Sequence, residues 1–261
     1  MPDYEAPIGA PCWIELFTSD AERARAFYGA ILGWDAEAPN PEFGGYANFT
    51  LDGVRIAGLM QRHDEAQPAD FWSTYLRTDD IAATVATASA AGAPVYLPPH
   101  PVGDLGSFAM VADPGGAAVG LWQPGSHRGF GRRGEVGAPM WFELHADRFD
   151  DSIDFYRTAF GWDPEPMAES DDFRYWRQAG PGGPAADDWV AALMDTEGKR
   201  PEGIGAAWQI YFQVADTREA LEEVVALGGQ VIEDLEPTPY GNLAKVADPM
   251  GATFKISDDA S

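Results

Sequence analysis

Hydrophobic and polar positions alternate over residues 12–18 (CWIELFT), with aromatic side chains among them, and this period-two pattern predicts a strand. Ser19 or Asp20 can cap a following helix. Within that helix Ala24, Phe27, Tyr28, Ile31 and Leu32 fall at helical spacing and form one apolar stripe, so the aromatic pair reads as core. Gly33 suits the C-terminal cap. Residues 45–51 and 54–60 then read as strands around an Asp52-Gly53 hairpin turn. The pattern restarts at Trp72 with a strand to Arg77, a helix capped near Asp79 or Asp80 and a stop at Gly92. Strands follow near 94–97, 106–112 and 117–122, the last two joined by an Asp113-Pro114-Gly115-Gly116 turn. The order is strand, helix, three strands, twice over; one strand of the first half shows no clear pattern.

The whole arrangement then repeats. Trp13, Glu15, Leu16, Phe27, Tyr28, Gly33 and Trp34 recur as Trp141, Glu143, Leu144, Phe155, Tyr156, Gly161 and Trp162. Trp72, Tyr75, Asp80 and Gly92 recur as Trp208, Tyr211, Asp216 and Gly228, and Ala112-Asp113-Pro114 recurs as Ala247-Asp248-Pro249. Elements are expected in the second copy at 140–146, 149–160, 173–178, 189–194, 207–214, 217–227, 230–234, 241–247 and 252–257. Duplication with small loop changes explains the drifting offsets. The expected organisation is a first domain over 1–122, a Gly- and Arg-rich linker over 123–137 and a second domain over 138–261. Within each domain neighbouring modules are expected to pair, because sequential elements usually lie side by side.

Composition narrows the functional classes. The chain has 261 residues with a formal net charge of −25, which repels phosphate backbones and anionic lipid, so nucleic acid is not an expected partner. The acidity keeps the protein soluble or attracts cationic ligands. No apolar run approaches the about 18–20 residues that cross a bilayer, so no membrane partner is expected. The N-terminus reads as no signal peptide. The single cysteine, Cys12, allows no internal disulfide and fits a cytoplasmic location. Pattern and composition leave monomer and homodimer equally open.

Strand, Asp-capped helix, Phe-Tyr, Gly-Trp and a late Asp-Pro-x-Gly turn together resemble the glyoxalase/bleomycin-resistance/extradiol dioxygenase, or vicinal oxygen chelate, superfamily. The resemblance implies an α+β fold of two tandem domains, each of paired βαβββ modules with sheets curled into a cup that holds a small molecule. It fixes no reaction, since one fold hosts many activities. Metal-dependent members carry His, Gln or Glu on the first strand of each module and Glu on the last. The matching positions here hold Trp13, Trp141, Ser73 and Gln209 on first strands, and Gly120 and Lys255 on last strands. Indole offers a metal no lone pair, and only Gln209 suits as a ligand. No metal and no other cofactor is therefore expected.

Strand residues two apart share a face, so Trp13, Glu15 and Phe17 point one way, as do Trp141, Glu143 and His145. If those faces line the cups, each cup has an aromatic wall and one carboxylate. That carboxylate either meets a ligand or supports a loop or domain interface. Tyr75, Tyr211 and Gln209 offer further polar groups to a ligand, or pack in the core. Glu143 and His145, two apart, can do acid–base work as candidate catalytic residues, or His145 is structural. The second cup therefore carries the richer set of candidates.

The leading expectation is a metal-independent binding protein for an aromatic or cationic metabolite or antibiotic. The alternative is a lyase, isomerase or oxygenase using Glu143 and His145. A third is an interaction protein whose cups have lost their role.

Overall fold

The computed structural model describes residues 4–62, 70–170, 172–186, 188–200 and 204–258. The first copy runs β1 (Pro11–Thr18), α1 (Ala21–Leu32), β2 (Asp35–Ala36), β3 (Ala47–Leu51), β4 (Val54–Gln61), β5 (Phe71–Arg77), α2 (Ile81–Ala90), β6 (Val95–Val102), β7 (Gly106–Ala112) and β8 (Ala118–Pro124). The second runs β9 (Pro139–Ala146), α3 (Phe149–Phe160), β10 (Glu165–Glu169), β11 (Arg174–Ala179), β12 (Trp189–Asp195), β13 (Ala207–Gln213), α4 (Thr217–Ala226), β14 (Gln230–Thr238), β15 (Gly241–Ala247) and β16 (Thr253–Ser257).

Each copy folds into one eight-stranded sheet, in the orders β2-β3-β4-β1-β5-β8-β7-β6 and β10-β11-β12-β9-β13-β16-β15-β14. Adjacent modules pair through their first strands, β1 against β5 and β9 against β13, both antiparallel. The sheets are curled and open-edged, an α+β arrangement of two cups.

Local chemistry explains the elements. Asp20 caps α1 by accepting from the Arg23 amide, and Asp80 caps α2 by accepting from the Ala83 amide. Gly33 and Gly161 end α1 and α3 in left-handed conformations, φ 72° and 68°, where a side chain would strain the backbone. Three features depart from the sequence expectation. The edge strands β2 and β10 carry no alternating apolar pattern. β6 extends through Pro98, Pro99 and Pro101, which a strand tolerates at a sheet edge, where missing N–H donors cost nothing. The segment between β8 and β9 has neither helix nor strand, yet Phe130 within it is fully buried and stacks on Phe142.

The repeated motifs lock the copies together. Helix α1 packs on α4, and α2 on α3. Tyr28 donates to Asp248 of the second copy at 3.1 Å, and Ser152 donates to Asp113 of the first at 2.9 Å. Trp34 donates to the Gly137 carbonyl, and Trp162 to the Gly9 carbonyl. Such reciprocity is what a pseudo-twofold relation requires. Phe27, Tyr28, Phe155 and Tyr156 are all buried, as their helical spacing implies. One face of β1 joins this core through Ile14 and Leu16, which leaves the other face to the cup.

Candidate functional site

The central strands β1 and β9 place a tryptophan and a glutamate at equivalent positions in both cups. Trp13, Glu15 and Phe17 face the first cup, joined from β5 by Tyr75 and Ser73. The register sets Trp13 opposite Tyr75 and Glu15 opposite Ser73. In the second cup Trp141 lies opposite Tyr211, and Glu143 opposite Gln209. The nine residues singled out from sequence thus fall into two clusters, four in the first cup and five in the second.

The first cup encloses a cavity of about 970 Å³. Its walls include Trp13, Phe17, Phe71, Phe108 and Trp122, with Phe17 and Phe71 stacked at 5.1 Å. Glu15 is buried in the wall. Tyr75 and Tyr46 each donate a long hydrogen bond to its Oε2, 3.3 and 3.4 Å, and Trp13 donates to the Tyr46 hydroxyl at 3.0 Å. Burial pushes the carboxyl up to about 7, against the pull of the two hydroxyls. Burial and the nearby carboxylate hold both tyrosines far above their ordinary range, so they stay neutral donors. His127 adds an edge-on ring 4.4 Å from Trp13. Its Nε2 is buried without a hydrogen-bond partner, and burial with Arg55 nearby lowers its pKa to about 4.

In the second cup the carboxylate is paired from within. His145 Nε2 lies 2.7 Å from Glu143 Oε1, Tyr211 donates to the same oxygen at 2.9 Å, and Lys255 Nζ stands 3.4 Å from it. Lys255 also donates to the Tyr211 hydroxyl at 2.8 Å. Burial raises the Glu143 carboxyl, but His145, Lys255 and Tyr211 outweigh it and bring it down to about 2. Trp141 donates to Tyr175 at 3.0 Å, repeating the Trp13–Tyr46 contact. Gln209 reaches only the Trp208 carbonyl at 3.4 Å, and its Oε1 is buried without a partner.

Four contributors escaped the sequence reading. Tyr46 and Tyr175 lie within expected strands, and their recurrence in both copies was the available signal. His127 was hidden in the connecting segment. Lys255 was read as a missing ligand rather than as a cation paired with Glu143.

The sequence profile of the Glyoxalase/Bleomycin resistance protein/Dioxygenase superfamily matches residues 12–121 and 140–256. The chain belongs to that superfamily. It is 33% identical over 255 residues to a protein named as a glyoxylase, CFP32, of Mycobacterium tuberculosis (strain CDC 1551 / Oshkosh), covering 95% of this chain and 94% of that protein. It is 30% identical over 266 residues to the anthracycline biosynthesis protein DnrV of Streptomyces peucetius, covering 95% and 92% respectively. Among solved structures, the 2,3-dioxygenase LapB from Pseudomonas sp. KL28 superposes with TM-score 0.65 at 14% identity, over 99% of this chain and 94% of that one. The Mn(II)-bound glyoxalase from Novosphingobium aromaticivorans gives 0.64 at 14% identity, over 97% and 83%. Among the described residues no helix is long and apolar enough to cross a membrane.

The manganese of that glyoxalase raises the question of whether these cups suit a divalent ion. Their donors do not. Trp13 and Trp141 present N–H groups, both given to tyrosines; Gly120 has no side chain; Lys255 brings a positive charge to Glu143. A divalent site needs several oxygen or nitrogen donors together. Among the described residues no three His, Cys, Asp or Glu side chains converge.

Proposed function

We propose that this protein is a metal-independent binding protein for an aromatic small molecule, and that the first cup is its working site. The cavity of about 970 Å³ carries this reading. It lies at the upper end of the about 300–1,000 Å³ that small-molecule sites occupy, and it combines apolar walls with a few placed polar groups. Trp13, Phe17 and Trp122 offer flat faces to a ring system. Glu15, Tyr75 and the orphan His127 nitrogen orient it. The likeness to a protein named for anthracycline biosynthesis favours a polycyclic ligand. Native mass spectrometry of protein purified from its own cells tests the reading. An aromatic molecule should co-purify, survive chelator treatment and be lost from Trp13→Ala. Co-purification of a stoichiometric transition metal whose removal releases the molecule would contradict it.

A second reading, that the second cup is catalytic, draws on the His145–Glu143 contact of 2.7 Å. There the pair would move a proton on a bound substrate, giving lyase or isomerase chemistry. Turnover by the parent protein, abolished in both Glu143→Gln and His145→Gln while first-cup binding persists, would favour this reading over pure binding.

A further inference from the structure

The second cup serves as a template for what the first one lacks. There the chain itself compensates the buried carboxylate, with Lys255 and His145 on Glu143 Oε1. The register identifies their counterparts. Tyr75 pairs with Gly120 as Tyr211 pairs with Lys255, and Phe17 follows Glu15 as His145 follows Glu143. Both counterparts are uncharged. The other contacts persist: indole to tyrosine at 3.0 Å in each cup, and a second tyrosine hydroxyl on each carboxylate.

We propose that the ligand of the first cup supplies the missing cation: a protonated aromatic amine whose ammonium sits against Glu15 and the ring faces of Trp13 and Tyr75. Lys255 already shows such a contact, with Nζ 4.7 Å from the Tyr211 ring centroid. The inference rests on the reading of the first cup as the ligand site.

The groups around Glu15 leave that role open. On β1 its neighbours are Trp13 and Phe17, on β4 Gly58, on β5 Ser73 and Tyr75, and on β8 Gly120. Tyr46 also reaches it; the cavity lining further holds Glu37, Glu42, His100 and His127, of which His127 is neutral at physiological pH. The lining arginines are engaged elsewhere: Arg55 holds Glu37 at 2.8 and 3.1 Å, and Arg62 lies 3.7 Å from Asp70. Among the described residues no cation pairs with Glu15. Near pH 7 about half of the molecules hold a proton on this carboxyl, and in those a bound ammonium displaces it: neutral acid plus ammonium gives an ion pair plus one proton released to solvent.

The test uses the full chain and three matched fluorescent probes, pyrenemethylamine, pyrenemethanol and pyrenecarboxylate, titrated at pH 8 and pH 6. At pH 8 the amine should bind at least about tenfold tighter than the alcohol, and the carboxylate most weakly. Between pH 8 and pH 6 the amine should lose about tenfold while the alcohol holds, since Glu15 gains its proton across that interval. Calorimetry at pH 7 in buffers of different ionisation enthalpy should report proton release for the amine and none for the alcohol. Glu15→Gln should remove the preference for the amine over the alcohol; the pH series needs no variant and guards against misfolding. Equal binding of amine and alcohol, insensitive to pH, overturns the cationic ligand but leaves aromatic binding standing. An alcohol that binds tighter than the amine makes Glu15 a hydrogen-bond donor and likewise overturns it. Failure of all three probes to bind overturns both readings.

Discussion

Glu15 and Glu143 stand at equivalent places on the central strands of two copies of one fold. Both are buried, and both accept a hydrogen bond from an equivalent tyrosine. Yet one carboxyl is pushed up to about 7 and the other down to about 2. Burial acts in the same direction on both; the partners differ. Lys255 and His145 neutralise Glu143 within the chain, whereas Gly120 and Phe17 leave Glu15 beside a large cavity with two neutral hydroxyls. Two differences thus separate a carboxylate paired within the chain from one with no cation beside it among the described residues, while the shared helices and aromatic core stay common to both.

The largest expected effect breaks the satisfied cup. Lys255→Met leaves a buried carboxylate short of its cation, and removing one member of a buried pair costs about 3–5 kcal/mol. For a chain of this size that lowers Tm by about 10 °C. Adding Glu143→Gln should restore most of the loss, because the uncompensated charge goes with it. Thermal unfolding of the single and double variants checks this. Equal Tm values for Lys255→Met and the parent would show that the ion pair contributes nothing.

The pH dependence of stability should have opposite signs at the two positions. Glu15 binds its proton more tightly folded than unfolded. Between its ordinary value of 4.5 and about 7 the native state therefore holds the extra proton, and stability falls as pH rises. The size is up to about 3 kcal/mol. Glu143 is depressed, so its contribution is complete above 4.5 and lost as pH falls towards about 2. Urea unfolding across pH 4.5 to 7 should show the decline in the parent and in Glu143→Gln, and its absence in Glu15→Gln. A decline of the same size in Glu15→Gln would remove Glu15 as its source.

Smaller effects sharpen the assignment of the cups. Trp13→Ala removes a stacking face worth about 1 kcal/mol and should weaken pyrenemethanol about fivefold. Trp141→Ala should change it less than about twofold. The reverse order in a fluorescence titration would place the ligand in the second cup. Smallest of all, Tyr75→Phe removes a hydrogen bond that favours the ionised Glu15, so its titration midpoint should rise further. A midpoint that falls, read by isotope-edited infrared spectroscopy of the carboxyl, would show that the bond does not act as described.

How far the sequence reached depends on whether the signal was local. Alternation on β1, the Asp20 and Asp80 caps and the Gly33 terminus are dictated by neighbouring residues, and the structure bears them out. The edge strands β2 and β10 bury little, so no hydrophobic period marks them. At the site, Trp13, Glu15 and Phe17 were legible as one face because strand geometry fixes it. The expectation that the second cup is the better site weighed residue types, and it could not see how they pair. Only the cross-strand register shows Lys255 beside Tyr211, and only the fold brings His127 onto Trp13 from a stretch with no regular structure. Counting polar groups made the second cup look more available; in the structure Glu143, His145, Tyr211 and Lys255 bond to one another, while Gln209 Oε1 is left without a partner.

Methionines provide built-in reporters of which cup is filled. Met60 and Met110 line the first cavity, while Met194 pairs with His145 in the second cup. Ring currents from a bound aromatic molecule shift nearby methyl resonances strongly. With isotope-labelled methionine methyl groups, addition of pyrenemethylamine should move Met60 and Met110 and leave Met194 in place. Movement of Met194, with Met60 and Met110 unchanged, would contradict the assignment of the first cup as the binding site.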